Sequence, residues 1–140
     1  MAPAVDINYL AVLVAAVAAM AIGAFWYSPI GFGKQWMKLS EMTEKKIEDE
    51  KKKGMGKTYA VAFAGTLVMS FVLAYFVDYT QAMTIAEGIQ AGFWLWLGFI
   101  ATVQLGIVLW EGKPIKLYLI NSAHYLTTLV VMGAILAVWA

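Results

Sequence analysis

Four apolar runs, at residues 8–27, 59–77, 86–110 and 115–139, set the terms on which this chain can fold. A helix needs about 20 residues to cross roughly 30 Å of hydrocarbon, and each run reaches or nearly reaches that length. Backbone within a bilayer must satisfy its own polar groups, which leaves helices or closed barrels. The runs lack the alternation of barrel strands. The expected fold is therefore all-α: one integral membrane bundle of four transmembrane helices, residues 1–140, with a short charged helix between helices one and two. Composition agrees. The chain is 62% hydrophobic and 14% charged, where a soluble domain carries about 45–50% and about 25%. A chain of 140 residues is too short to hide that excess in its own core.

Lysine placement gives the orientation. Eight lysines (34, 38, 45, 46, 51, 52, 53 and 57) fall between runs one and two, and Lys113 and Lys116 fall between runs three and four. Lysine-rich loops face the cytoplasm. The reading is a multi-pass protein of the cell (inner) membrane, both termini outside, loops 28–58 and 111–116 cytoplasmic. Residues 1–9 hold Asp6 and no lysine, unlike a signal peptide's positive start, so the first run is read as a retained helix. Trp26, Tyr27, Tyr59, Tyr79, Trp110, Tyr118 and Trp139 gather at run ends, as interfacial belt residues do.

Much chemistry is excluded. Without cysteine there are no disulfides, thiolate ligands or iron–sulfur clusters. Without arginine there is no bidentate anion clamp. A net charge of +1 offers no basic face for nucleic acid. One histidine makes no conventional zinc site, and no nucleophile, zinc-protease or phosphate-loop motif is present. No catalytic residue, metal or cofactor is expected, and the chain does not read as an enzyme.

Between runs one and two, Ser28-Pro29 ends the first helix. Residues 30–37 are glycine-rich and apolar, and are expected in the headgroup layer with Phe32 and Trp36 dipping in. Residues 40–53 read as a charged helix stopped by Gly54 and Gly56, with Glu41/Lys45, Glu48/Lys52 and Asp49/Lys53 at i,i+4. It is read as a solvated connector.

Polar residues within the runs are the functional clue, since they usually face protein or water. Asn121, His124, Tyr125 and Thr128 share one face of helix four. Counting 1.5 Å per residue brings Thr66, Gln104, Asn121 and His124 to one depth in the cytoplasmic half, with Ser70 a turn deeper. The layer reads either as interhelical glue or as a solute or proton path, with His124 the only side chain that changes charge near neutral pH. On helix three, Glu87, Gln90, Trp94, Leu97, Ala101, Gln104, Val108 and Glu111 alternate in steps of three and four, predicting its packing seam. Glu87 and Glu111 read as helix-end charges. Small-residue ladders, Ala11/Ala15/Ala19/Gly23 and Ala62/Thr66/Ser70/Ala74, could join helices within the chain or between subunits.

Trp26-Tyr27-Ser28-Pro29 with Phe32-Gly33-Lys34 and Trp36, Gly92-Phe93-Trp94-Leu95-Trp96-Leu97-Gly98-Phe99, and Leu119-Ile120-Asn121 together resemble a family of small membrane proteins, domain of unknown function 1761. The resemblance covers nearly the whole chain. It implies a stand-alone four-helix protein of bacteria or archaea and no established activity.

Three functions are weighed. The first is a homo-oligomeric channel or transporter-like protein for a small polar solute, ion or proton. The second is a non-catalytic scaffold or accessory subunit. The third, with least support, is an enzyme acting on lipid or quinone. Membrane lipid and further copies of the chain are the expected partners.

Overall fold

The computed structural model describes residues 4–139. The expected placement of residues 1–3 and 140 lies outside the described residues. Four helical segments are long and apolar enough to cross a membrane. They are α1 (Tyr9–Trp26), α4 (Gly56–Tyr79), a composite third span (Ile85–Leu109) and α7 (Ile115–Val138). Two short helices, α2 (Gly33–Leu39) and α3 (Glu44–Lys52), lie between α1 and α4. Among the described residues there is no strand.

The expected boundaries shift by up to three residues. The largest shift is at α4, which extends through Lys57 and Asp78. Hydropathy marks where lipid ends, whereas helical hydrogen bonding continues into the headgroup layer. Side chains set several helix starts. Asn8 accepts from the Leu10 and Ala11 amides. Thr84 accepts from the Glu87 amide at 3.1 Å while its hydroxyl donates to the Glu87 carboxylate at 3.0 Å. Glu87 is thus a capping residue at a helix N-terminus.

One end of the bundle is tightly closed. Ala11, Ala15 and Ala19 of α1 pack on Leu73, Ala74 and Val77 of α4 and on Leu129, Met132 and Leu136 of α7. Ser70 is fully buried and its Oγ donates to the Val12 carbonyl at 2.8 Å. Asp6 and Asn8 tie the N-terminal segment to this end: the Asp6 amide donates to Asp78 at 2.9 Å and the Asn8 side chain to the Trp139 carbonyl at 3.1 Å. The alanine ladder therefore joins helices within the chain. Valines such as Val61 and Val68 on α4, each 63% exposed, point outward as lipid-facing residues do.

The third span departs from expectation. It is α-helical as α5 (Ile85–Trp96), π-helical over Leu97–Ala101, a 3₁₀ turn over Val103–Leu105, and α-helical again as α6 (Gly106–Leu109). The predicted seam fails over the first half of the span, where Glu87, Gln90, Trp94 and Leu97 are exposed, while further along Ala101 is buried and Gln104 and Val108 are partly buried. Gly88 and Gly92 are buried instead, against Gly133 and Leu129 of α7, so closely that a methyl group on either glycine would overlap a carbonyl. A missing Cβ lets backbones meet more closely than large side chains can.

Residues 40–53 do not form one helix. Glu41 lies before α3 with φ +62°, and Gly54, at φ +95°, ends it in the left-handed conformation that glycine tolerates. Among the described residues the only ion pair is Lys53–Glu50, 3.7 Å apart. The three anticipated i,i+4 pairs do not form. Exposed pairs gain little against side-chain entropy.

Candidate functional site

The site begins where α1 ends. The Ser28 hydroxyl donates to the Phe25 carbonyl at 2.6 Å, and the Ser28 carbonyl accepts from the Gly31 and Gly33 amides at 3.0 Å. Gly31 then passes so close to the Phe25 and Trp26 carbonyls at the end of α1, and Gly33 to the Tyr27 and Ser28 carbonyls of the turn, that a methyl group on either would overlap them. Only glycine permits that approach. The reversal lays Phe32 on Trp26 (ring centres 5.0 Å apart) and Trp36 edge-on against Tyr27 (5.7 Å).

Trp26 and Tyr27, expected in an interfacial belt, are half-buried against α7. The Trp26 indole donates to the Ile120 carbonyl at 3.0 Å, and the Tyr27 hydroxyl donates to Asn121 Oδ1 at 2.7 Å. Run-end position alone does not separate belt from clamp, because both put aromatic rings there. Tyr27→Phe, measured by unfolding in detergent, is expected to lose about 0.6 kcal/mol and at most about 1.7. An unchanged midpoint would remove the clamp from the account.

Beyond this clamp the bundle opens. The first half of α4 stands largely exposed, while its second half is packed. Two adjoining cavities fill the gap. The deeper, about 540 Å³, lies between α1, α4 and α7 and is lined by Gly23, Thr66, His124, Tyr125 and Thr128 among others. The outer, about 780 Å³, is bordered by Trp36, Ile47, Gln104 and Asn121. Tyr27, Tyr59, Ala62 and Tyr125 border both. Ile47 brings α3 over the outer cavity, a position beyond that of a solvated connector.

Thr66, Gln104, Asn121 and His124, predicted as one layer, thus line one two-part cleft, joined by Tyr125 and Thr128. Ser70 does not join them, since its hydroxyl is spent in the closed end. Thr66 is internally satisfied, donating to the Ala62 carbonyl at 2.9 Å. Asn121 Oδ1 is held by Tyr27. By contrast both ring nitrogens of His124, Gln104 Oε1 and Thr128 Oγ are shielded and have no hydrogen-bond partner among the described residues. A shielded polar atom without a partner costs about 1–3 kcal/mol. Gly23 makes room for the imidazole: a methyl there would come within 3.3 Å of Nε2. Trp26, Tyr27 and Tyr125 surround the imidazole at ring-centre distances of 6.1, 5.1 and 4.8 Å.

Sequence reasoning placed Gly23 only in a packing ladder and Tyr59 only in the belt, not at the cleft, and it missed the irregularity of the third span. Gln104 sits in the 3₁₀ turn just after the π-helical stretch, a deviation from α geometry that often marks functional positions. The Tyr118 hydroxyl donates to the Ala101 carbonyl at 2.7 Å, supporting this change of helix type. Trp96 similarly donates to the Ser122 carbonyl at 2.8 Å.

The Trp-Tyr-Ser-Pro turn and the Leu-Ile-Asn segment that it grips are therefore two halves of one clamp. The profile of the family described as Protein of unknown function (DUF1761) matches residues 10–137. The chain belongs to this family. No curated protein and no solved structure matches it. In this DUF1761 chain the match takes in the second and third spans whole, all but one residue of α1 and of α7, and every residue that lines the cleft.

Proposed function

We propose that the protein binds a small, neutral, hydrogen-bonding solute in the cleft and passes it across the membrane. The observation that carries the reading is the set of unpartnered polar atoms on His124, Gln104 and Thr128 beside open volume. Buried polar groups are normally hydrogen-bonded, so a hydrogen-bonding guest or its water would complete this lining. Structural glue, the competing interpretation, fits Asn121, which accepts from Tyr27 at the end of α1, but among the described residues the atoms of His124, Gln104 and Thr128 bond no other helix.

The lining favours a neutral solute over a proton or ion. Among the described residues no Asp, Glu or Lys borders either cavity, so a charged guest or an imidazolium would lack a counter-ion there. Tyr27 and Tyr125 are the titratable groups facing His124. We assign the open end to the cytoplasm from its lysines. Repetition of the chain about an axis would wall the gap between α4 and the third span. A scaffold role loses one support, because the alanine ladder is used internally.

The direct test is osmotic swelling of proteoliposomes with glycerol or urea as probe. Wild-type vesicles should admit at least one of them faster than protein-free vesicles. Equal rates for both would end the transport reading. A second measurement exploits the cysteine-free sequence. Thr66→Cys should react with a small charged thiol reagent applied from the cytoplasmic side, and Ala15→Cys, fully buried, should not. Silence from both sides would mean a dry cleft, and reaction from the outside would reverse the topology.

A further inference from the structure

A second recess lies on the outside of the bundle, where α2 crosses the start of α7. It has a volume of about 420 Å³ and is lined by Gln35, Lys38, Leu39, Lys116, Leu119 and Ile120. It shares no lining residue with the cleft. Two cations border it, and among the described residues no carboxylate does and neither lysine forms an ion pair. Lys116 stands in the first turn of α7, which has no acidic residue. There its charge is repelled by the positive end of the helix dipole, so an anion between the lysines would relieve an unfavourable arrangement. Apart from Gln35, the remaining walls (Leu39, Leu119 and Ile120) are apolar, and Leu119 is 55% exposed. A soluble anion gains nothing from such walls, whereas an amphiphile uses both parts.

We propose that this groove holds an anionic phospholipid, its phosphate between Lys38 and Lys116 and its acyl chains along Leu39 and Leu119. The proposal is independent of the cleft and of what passes through it. Native mass spectrometry of the full chain in detergent, with phosphatidylglycerol and phosphatidylcholine at equal concentration, provides the test. Phosphatidylglycerol should be retained preferentially. Each lysine near a lipid surface contributes about fivefold in affinity, so K38Q/K116Q should weaken phosphatidylglycerol binding by about 30-fold and leave phosphatidylcholine unchanged. The charge-matched control K45Q/K51Q, on exposed α3, should leave both unchanged. Equal retention of the two lipids, wild-type affinity in K38Q/K116Q, or equal losses in the two double variants would overturn the proposal. So would displacement of the lipid by inorganic phosphate, which would give the groove to a free anion.

Discussion

Gly92→Ala is expected to destabilise the bundle by about 1–3 kcal/mol, although alanine is the better helix former by about 1 kcal/mol. The added methyl group would overlap the Leu129 carbonyl and come within 3.0 Å of the Val130 nitrogen. Those atoms belong to the backbone of α7 and cannot rotate aside, so the third span must move away. Gly88→Ala meets the same obstacle at Gly133. Gly65→Ala is the control, because nothing lies within 4 Å of its added methyl. Unfolding of purified protein in detergent should place G88A and G92A well below wild type and G65A at or above it. Equal behaviour of G92A and G65A would show that the close approach of α5 to α7 carries no weight.

His124→Phe is expected to separate stability from function. The phenyl ring keeps most of the packing against Trp26, Tyr27 and Tyr125 and removes two shielded nitrogens that have no partner. Replacing polar groups by an apolar group of similar shape can be neutral or stabilising when no bond is lost. Open volume beside the ring accommodates the extra atom. Stability should therefore stay within about 1 kcal/mol of wild type or rise. Solute flux should fall about tenfold or more, since two hydrogen bonds of about 1 kcal/mol each are removed. A marked loss of stability with unchanged flux would give His124 the structural role instead.

The spans were legible because bilayer thickness imposes a length that hydropathy measures directly. Depth along each helix was legible too, since the rise per residue is constant. Counting alone groups Thr66, Gln104, Asn121 and His124. Direction was less accessible. The packing face of the third span is marked by Gly88 and Gly92, whose contribution is an absent side chain. A search for large apolar residues selects Trp94 and Leu97 on an outward face instead. The π-helical stretch leaves no clear trace in composition, yet it rotates everything after Ile100 relative to everything before it. The family resemblance rests on motifs whose meaning is local: Gly31 and Gly33 fold the chain back, and Trp26 and Tyr27 then reach Ile120 and Asn121.

The bundle's uneven packing has a mechanical consequence. The second half of α4 is pinned through Ser70, while its first half stands away from the rest. From Ser70 to Gly56 the lever is about 21 Å long, at 1.5 Å per residue. A tilt of about 10° around that pivot therefore displaces Gly56 by about 4 Å while the pinned end hardly shifts. The jaw's mouth at Tyr59, about 16 Å from the pivot, can thus widen or narrow by about 3 Å while Thr66 moves by only about 1 Å, without disturbing the alanine contacts behind it.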